Sequence, residues 1–423
     1  MVNLGRATHR TTLLVAMALL IGMTSLLIGA TATSATGAVK LTLQKHSKAT
    51  GTPGTLIKSK QVTATGVNAS AVYAISYWSE SVPKNKPVTV TGLVFIPKGT
   101  PPKGGWPLVS WAHGTDGMVG ACAPSLDPAT AVDDVNLVNA LLAQGWEVTA
   151  TDYQGESNRT LLSQQGLLPY LVGDSAARNT IDIVRAASQL SVAHASSNYV
   201  VMGHSEGGQS AMFVLNLAAS YAPSLNLKGV VAIAPPSQLN VTLIPYVELT
   251  GYWPLIYMAA WGWNATYGNG EAPVNELLTS AGLKGKSDVE SLCSNLLFDT
   301  LDPIGFNTFF KVTTLPSAWQ TLANENDPES FNSPSSTPVL IVQGDQDNLV
   351  PPSTSAALAT HLCGIGQDVE RWAYPGLDHG GVVSSGTATA DDTKWVADRF
   401  AGKSSPDSYV PEGEPGITTT TCP

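Results

Sequence analysis

The sequence predicts an α/β protein in which helices cover both faces of a mostly parallel central sheet and an inserted, mainly helical subdomain interrupts the fold. Two observations support this prediction. Apolar, β-rich runs alternate with stretches of helical periodicity, and one long interval, residues 237–335, breaks the alternation. A repeated strand–helix–strand order is typical of parallel sheets, whose strands are covered on both sides and are therefore almost wholly apolar.

The individual strands and helices follow from composition and spacing. Seven runs rich in apolar and β-branched residues are predicted as strands: 87–97, 107–112, 146–152, 199–203, 230–234, 338–344 and 369–374. Three stretches between them are predicted as helices: 133–144, 175–190 and 209–219. The Pro-, Ser- and Thr-rich tail from Gly402 is predicted to be a loop.

The interval 237–335 separates two predicted core strands. Because a structureless loop of that length is improbable in a compact domain, we expect an inserted helical cap, with core parts at 36–236 and 336–423. The insertion holds the densest aromatic run of the chain: Tyr246, Tyr252, Trp253, Tyr257, Trp261, Trp263 and Tyr267. We expect most of these rings to fill the core of the insertion and some to line an apolar pocket.

Composition excludes some classes of partner. The chain has 423 residues, of which 43% are hydrophobic, so it can bury a large core. Its net charge is −10 and it has no Lys/Arg cluster. These features argue against nucleic-acid binding and against electrostatic attraction to anionic membranes.

The N-terminus has the pattern of an export signal. Arg6 and Arg10 precede an apolar run, 13–27, and small residues follow it. We expect residues 1–35 to be a signal peptide of a secreted protein; the alternative is an uncleaved membrane anchor. Three cleavage positions are open: after Ala32, Ala35 or Ala38.

The cysteines indicate disulfides rather than a metal site. Four remain beyond the signal, and none forms a CxxC or Cys/His pattern: Cys122, Cys293, Cys363 and Cys422. In an exported protein this even count predicts two disulfides, with three possible pairings. If the chain is not exported, four buried free thiols are the alternative. We predict no metal and no cofactor.

Ser205, in Gly203-His204-Ser205-Glu206-Gly207, is the candidate nucleophile. The five-residue pattern is weak by itself, and an ordinary Gly-rich turn is the alternative. The apolar run 199–202 precedes it and the predicted helix 209–219 follows it. This strand–turn–helix setting is that of the nucleophile elbow of α/β-hydrolases, whose sharp turn leaves no room for side chains at the flanking glycines.

A serine hydroxyl needs a base and an acid that orients the base. In this type of site the order along the chain is serine, acid, histidine. His379 follows the last predicted core strand, so we assign it as the base. The loop after strand 338–344 offers Asp345 and Asp347, and we favour Asp347 because it lies farther into the loop.

The reaction also needs donors for the oxyanion. We predict the backbone N–H of Glu206, the residue after the nucleophile, as one donor. The second is expected in the loop that follows strand 107–112, from Thr115, with Gly114 as the alternative. A simple tight turn at His113-Gly114 is the competing interpretation.

Together these motifs resemble the secretory lipase family, lipase A type, of the α/β-hydrolases. The matching stretches run in one order through most of the chain: 91–98, 111–115, 122–125, 152–155, 169–173, 185–187, 203–208, and the loops of Asp347 and His379. The sequence departs from the usual elbow at Glu206, where Gly or Gln is more common. Its carboxylate would disfavour a neighbouring oxyanion unless it is turned away or paired.

The resemblance implies an α/β-hydrolase fold with a helical cap before the acid-bearing strand and a second oxyanion donor at Thr115. It also implies that Cys122 pairs with Cys293 and Cys363 with Cys422. The expected function is a secreted carboxylic-ester hydrolase, a lipase or esterase, acting on a lipid or small-molecule acyl ester with transient contact to a lipid–water interface. The alternatives are a serine peptidase or acyltransferase, or a non-catalytic lipid-binding relative.

Overall fold

The computed structural model describes residues 51–128, 135–159, 161–162, 166–246, 251–405, 411 and 417–422, without the side chains of residues 245 and 246. The predicted signal peptide, its cleavage positions, the Tyr246 side chain and the start of the predicted helix 133–144 lie outside the described residues. In the part of the chain described, no helix is both long enough and apolar enough to span a membrane.

The described strands form a single mixed sheet in the order β1-β2-β3-β5-β4-β6-β7-β8-β9-β10. Their bounds are β1 Leu56–Val62, β2 Ala71–Glu80, β3 Pro87–Ile96, β4 Trp106–Ala112, β5 Glu147–Thr151, β6 Ala195–His204, β7 Asn226–Ile233, β8 Val339–Gly344, β9 Val369–Tyr374 and β10 Thr418–Cys422. The six strands from β5 to β9 in this order are parallel to one another. The predicted mostly parallel sheet is confirmed.

Antiparallel strands close both edges of the sheet. β1, β2 and β3 pair antiparallel and continue onto β5, while β10 pairs antiparallel with β9 from Thr418↔Ala373 to Cys422↔Val369. β1 and β2 were not predicted. For residues 418–422 the predicted loop is wrong: their four threonines are β-branched and suit a strand, although the preceding Pro- and Ser-rich stretch resembles a loop.

Helices precede, fill and follow the insertion. The first three are α1 Val135–Ala143, α2 Gly173–Ala187 and α3 Glu206–Tyr221. Between β7 and β8 lie α4 Leu239–Val241, a π-helical turn Thr242–Tyr246, α5 Trp253–Tyr267, α6 Val274–Leu277, α7 Ser280–Lys284, α8 Lys286–Val289, α9 Ser294–Leu301, α10 Phe306–Phe309 and α11 Ser317–Glu325. The last three are α12 Pro352–Gly364, α13 Gly381–Ser384 and α14 Gly386–Phe400; Pro124–Leu126 and Pro328–Ser330 are short 3₁₀ helices.

The hydrophobic core lies on both faces of the sheet. On one face, α2, α3 and α12 pack through residues such as Ile181, Met212 and Leu358. On the other, α1, α13 and α14 pack through residues such as Leu141 and Trp395. Because both faces are covered, the central strands are buried along almost their whole length.

The helices between β7 and β8 share an aromatic core that continues into the main body of the chain. Trp253, Trp261 and Trp263 are buried in it. Trp263 stacks on Trp319 with ring centroids 5.8 Å apart, and its indole N–H donates to the carbonyl of Tyr170 at 2.9 Å. This hydrogen bond attaches α5 to the segment that precedes α2.

Both disulfides implied by the resemblance are present. Cys122, in the loop after β4, is bonded to Cys293, the residue before α9. Cys363 in α12 is bonded to Cys422 in β10. The first disulfide joins the main body to the insertion, and the second holds the edge strand β10 against the sheet.

Replacing Cys363 and Cys422 by serine is expected to destabilise the fold without removing activity. In the chain-entropy model, losing a disulfide with a sequence separation of 59 lowers the free energy of unfolding by about 4 kcal/mol. Denaturant unfolding of the parent and the double variant, both without reductant, measures this difference. Turnover under native conditions should be retained, since α12 and β10 contribute no lining residue to the cavities at Ser205; an unchanged unfolding midpoint would contradict the prediction.

Candidate active site

Ser205 lies at the turn between β6 and α3, with φ 56° and ψ −119°. A non-glycine residue with positive φ is strained and persists only where its surroundings hold it. The Ser205 N–H donates to the Ile233 carbonyl of β7 at 2.9 Å, and the Gln209 N–H donates to the Ser205 carbonyl at 3.1 Å. These bonds hold Ser205 at the carboxyl edge of the parallel strands, where it lines two adjoining cavities.

The glycines around Ser205 are required by close backbone packing. A Cβ on Gly203 would collide with the carbonyl of Gly207, and a Cβ on Gly207 would collide with the carbonyl of Ala112 at the end of β4. A Cβ on Gly208 would lie 2.7 Å from the Ile233 carbonyl oxygen. The sequence pattern of this turn therefore reflects the contact between β4, β6, β7 and α3.

The structure brings Asp347 and His379 together. Asp347 follows β8 and His379 follows β9, which is its parallel neighbour, so both loops emerge at the same edge of the sheet. Oδ2 of Asp347 lies 2.7 Å from Nδ1 of His379, and His379 lines the same cavity as Ser205. This contact leaves the opposite nitrogen, Nε2, as the one that can exchange a proton with a hydroxyl.

The Asp347 carboxylate is buried and fully supplied with donors. Oδ1 accepts the backbone N–H groups of Leu349 (2.9 Å) and Val350 (2.8 Å), and Oδ2 also accepts the Gln343 side-chain amide at 2.8 Å. With the His379 contact, four donors fix the carboxylate. Such a group can hold an imidazole in one tautomer and stabilise its cation.

Asp345, the alternative acid, has another role. It is exposed, and its Oδ1 accepts the Gly376 N–H at 2.7 Å, which joins the β8 and β9 loops. Asp378, the neighbour of His379, accepts the Gly381 N–H at 2.7 Å. Both carboxylates therefore accept backbone N–H groups of these loops.

Sequence reasoning missed two residues that support His379 and Asp347. Nε2 of His204 lies 2.9 Å from the carbonyl oxygen of His379, and the two imidazole centroids are 4.7 Å apart. Gln343, the penultimate residue of β8, supports Asp347 as described above. The motif contains His204 and could have drawn attention to it, whereas nothing in the strand pattern distinguishes Gln343.

The predicted oxyanion donors lie at the start of α3, directly after Ser205, and in the loop after β4. Glu206 is the first residue of α3, so its backbone N–H is one of the helix N-terminal groups without an intrahelical acceptor. Thr115 and Gly114, both in the loop after β4, line the same cavity as Ser205 and His379. The arrangement brings the predicted donor loop and the helix N-terminus to one cavity.

The Glu206 carboxyl is directed away from solvent. The residue is 2% exposed, and its Oε2 lies 3.3 Å from the Thr115 hydroxyl, which lies 2.9 Å from the Tyr170 hydroxyl. Burial raises the pKa of Glu206 well above its usual range, the Thr115 hydrogen bond lowers it, and the nearby Asp116 charge raises it further. The carboxyl is therefore neutral at a pH where an exposed glutamate is ionised.

A second buried acid, Glu156, lies close to His113 in the loop after β4. Glu156 is fully buried, and burial together with the charges of Asp116 and Glu206 raises its pKa well above the usual range. His113 lies between these groups: its Nε2 is 3.6 Å from Glu156, and its Nδ1 is 3.5 Å from Asp116. Acidic side chains thus surround the buried side of the loop that carries Thr115.

Two cavities meet at Ser205. One is lined mainly by apolar side chains from the insertion and the Asp347 loop, including Leu239, Leu243, Ile256 and Val350. The other is more polar and is lined by Thr115, Tyr252, Ser294, Asn295, Phe298 and His379, among others. Within the described residues, no cluster of three or more His, Cys, Asp or Glu could hold a metal ion.

The family and the relatives found by sequence comparison carry the names of lipases. A family model described as "Secretory lipase" matches residues 124–408. A secreted triacylglycerol lipase, LIP4, of Malassezia globosa is 23% identical over 371 residues, covering 83% of this chain and 78% of the relative. A Mycobacterium tuberculosis protein named "Probable inactive lipase MT1628" is 26% identical over 397 residues, covering 85% of this chain and 81% of that protein.

Solved structures share the fold. Candida antarctica lipase A in its closed state aligns with a TM-score of 0.71 at 19% identity, covering 87% of this chain and 86% of that one. The rice cell wall degrading esterase LipA of Xanthomonas oryzae aligns with a TM-score of 0.63 at 20% identity, covering 83% of this chain and 97% of that one. The predicted α/β-hydrolase fold is confirmed.

The two candidate acids can be separated by substitution. Asp347→Asn is expected to lower kcat by roughly 10³–10⁴-fold, because an amide no longer holds the productive His379 tautomer. Asp345→Asn is the matched control and should retain most of the parent kcat, since it alters a loop contact only. Steady-state kinetics with circular dichroism of each variant makes the comparison; a larger loss in Asp345→Asn would reverse the assignment.

Proposed function

This chain belongs to the secretory lipase family, and we propose that it hydrolyses acyl esters through a covalent acyl-enzyme on Ser205, with His379 as general base and Asp347 as its orienting acid. Membership makes the chain a lipase or esterase in class. Activity does not follow from membership alone, because one relative is named a probable inactive lipase. The observation that supports activity here is the 2.7 Å Asp347–His379 contact beside the strained Ser205 turn.

The proposed reaction proceeds in two steps. The Ser205 hydroxyl attacks the ester carbonyl carbon while its proton passes to Nε2 of His379. The tetrahedral oxyanion accepts hydrogen bonds from the Glu206 N–H and from the N–H of Thr115, with Gly114 as the alternative donor. The C–O bond then breaks, the alcohol leaves with the proton from His379, and water repeats the sequence to release the acid.

The two cavities suggest which part of a bound ester lies on each side of Ser205. We assign the acyl chain to the apolar cavity lined by Leu239, Leu243 and Ile256, since burial of methylene groups there is favourable. The alcohol portion is assigned to the more polar cavity lined by Ser294 and Asn295. The substrate class is therefore an ester of an apolar acid.

The location and the domain organisation of the protein are proposed from its family, its disulfides and its sequence pattern. The family is described as secretory, related lipases are named secreted, and two disulfides suit an extracellular protein. We propose residues 1–35 as the signal peptide, 36–236 and 336–423 as the core, and 237–335 as the cap. Leu296 and Ile304 of the insertion are 58% and 47% exposed, and we propose them as points of transient contact with a lipid surface.

Ser205→Ala and His379→Ala are expected to abolish ester turnover, leaving less than ~10⁻³ of the parent kcat, because the nucleophile and base act as a unit. Hydrolysis of p-nitrophenyl acyl esters measures the loss, and a fluorophosphonate probe should label the folded parent but not Ser205→Ala. Aminoacyl anilides are the matched substrates for peptidase activity. Preferred cleavage of anilides, or an unlabelled parent, contradicts ester hydrolysis by this site.

The assignment of the cavities predicts separable specificity variants. Thr242→Phe places a larger side chain in the apolar cavity and reduces the space for an acyl chain. The variant should lower kcat/KM for long acyl chains about tenfold more than for short ones. Asn295→Phe alters the polar cavity and should leave the acyl-length preference unchanged. A series of p-nitrophenyl esters of increasing chain length gives the comparison; equal effects of both variants on the series would refute the division.

A further inference from the structure

The side chains of Tyr170, Thr115 and Glu206 form a series of contacts close to Ser205. The Thr115 hydroxyl lies 2.9 Å from the Tyr170 hydroxyl and 3.3 Å from Oε2 of Glu206. Glu206 and Tyr170 are each 2% exposed, whereas Thr115 lines the cavity shared with Ser205. Of these three residues, Thr115 is therefore the one that a bound ester can contact.

The direction in which the Thr115 hydroxyl proton points depends on the charge of Glu206, because the charge decides whether Glu206 can donate a hydrogen bond or only accept one. A hydroxyl has one donor and two acceptor positions, and an ionised carboxylate can only accept. If Glu206 is ionised, the single Thr115 proton must point at it. If Glu206 is neutral, its O–H can donate to Oγ1 of Thr115, Tyr170 can donate to the second acceptor position, and the Thr115 proton is available to the substrate.

Glu206 has few of the partners that an ionised carboxylate requires. Among the described residues, Oε1 is buried without a hydrogen-bond partner, and Oε2 contacts the Thr115 hydroxyl. No Lys, Arg or His lies in α3. The positive end of the α3 dipole favours ionisation, but this effect is smaller than that of complete burial.

The groups around Glu206 also disfavour a negative charge there. The titratable side chains that face or flank it from other elements are His113 and Asp116 after β4, Glu156 after β5, Tyr170 before α2 and His204 at the end of β6. His113 contacts Asp116 and Glu156, and His204 contacts His379, so the cationic candidates pair elsewhere. Burial raises the pKa of Glu206, and the charge of Asp116 raises it further.

We propose that Glu206 is a positioning residue: its neutral carboxyl donates to Oγ1 of Thr115 and thereby directs the Thr115 proton toward the oxyanion of the tetrahedral intermediate. The hydroxyl adds a side-chain donor to the backbone N–H groups. This inference rests on the proposed ester hydrolysis at Ser205. It also gives a role to the Glu that replaces the more common Gly or Gln of the elbow.

The proposal has a direct consequence for the pH profile. Because the pKa of Glu206 is raised, its carboxyl stays neutral at pH values where an exposed glutamate becomes charged. Activity is therefore lost only when the pH rises through the raised pKa of Glu206. Ionisation then turns the Thr115 proton back to Glu206 and removes a donor. The triad itself predicts a loss only on the acid side, where His379 becomes protonated.

The test measures kcat and KM against pH for a soluble acyl ester, with the parent, Glu206→Gln, Thr115→Val and Thr115→Ser. The parent should lose kcat on the alkaline side by about 10²-fold, with little change in KM, the size expected for one oxyanion donor. Glu206→Gln should lose the alkaline decline, measured relative to its own kcat at neutral pH, since an amide N–H donates to Thr115 at every pH. Thr115→Val should be about 10²-fold slower and without the decline, whereas Thr115→Ser should keep the decline, measured relative to its own kcat at neutral pH.

Glu156→Gln is the matched control. It removes the titratable carboxyl of a neighbouring buried acid while Glu206 keeps its contact with Thr115, so the alkaline decline should persist. A decline that disappears in this variant would assign the effect to Glu156 and overturn the proposal. Thermal unfolding of each variant identifies a folding defect; if Glu206→Gln does not fold, the Thr115→Ser and Thr115→Val pair decides.

The remaining outcomes distinguish this proposal from the proposed function. Turnover that survives Ser205→Ala contradicts ester hydrolysis at this site. If Ser205→Ala is inactive but Glu206→Gln keeps the parent's alkaline decline, only the role of Glu206 is overturned. Full activity in Thr115→Val likewise overturns it, because the hydroxyl is then not a donor to the reaction.

Discussion

The active site depends on backbone contact without intervening side chains at the turn around Ser205. Gly203 and Gly207 allow β4, β6 and the start of α3 to approach one another, because a Cβ at either position would overlap a carbonyl oxygen. β4 and β6 are adjacent parallel strands, so this approach also brings the loop after β4 to the N-terminus of α3. The turn of Ser205 and the loop of Thr115 are consequently parts of one packing arrangement.

The insertion is attached to that arrangement on its oxyanion side. The Cys122–Cys293 disulfide and the 2.8 Å bond from the Ser294 N–H to the Asp116 carbonyl join the start of α9 to the loop of Thr115. A second attachment runs from Trp263 to the backbone of Tyr170. Both attachments adjoin the contact between Thr115 and Tyr170. A shift of the insertion is therefore expected to alter the donors, as well as the cavities that it lines.

Most of the core could be predicted because local pattern and packing agree there. The order of Ser205, Asp347 and His379, each after a buried strand, was readable since parallel strands end at one edge. β1 was not, because its alternating polar residues form an exposed edge strand that packs less than the core strands. The contact between Thr115 and Tyr170 spans 55 residues and depends on how loops fold over the sheet, so no local pattern contains it.

The two carboxyl groups beside Ser205 differ in how the fold supplies them with donors. Asp347 accepts two backbone N–H groups, an amide and His379, which suits an acceptor-only carboxylate. Glu206 has one oxygen in contact with a hydroxyl and the other without a partner among the described residues, which suits a neutral acid. The unusual glutamate of the elbow need not oppose the oxyanion, because the same burial that isolates it from water raises its pKa.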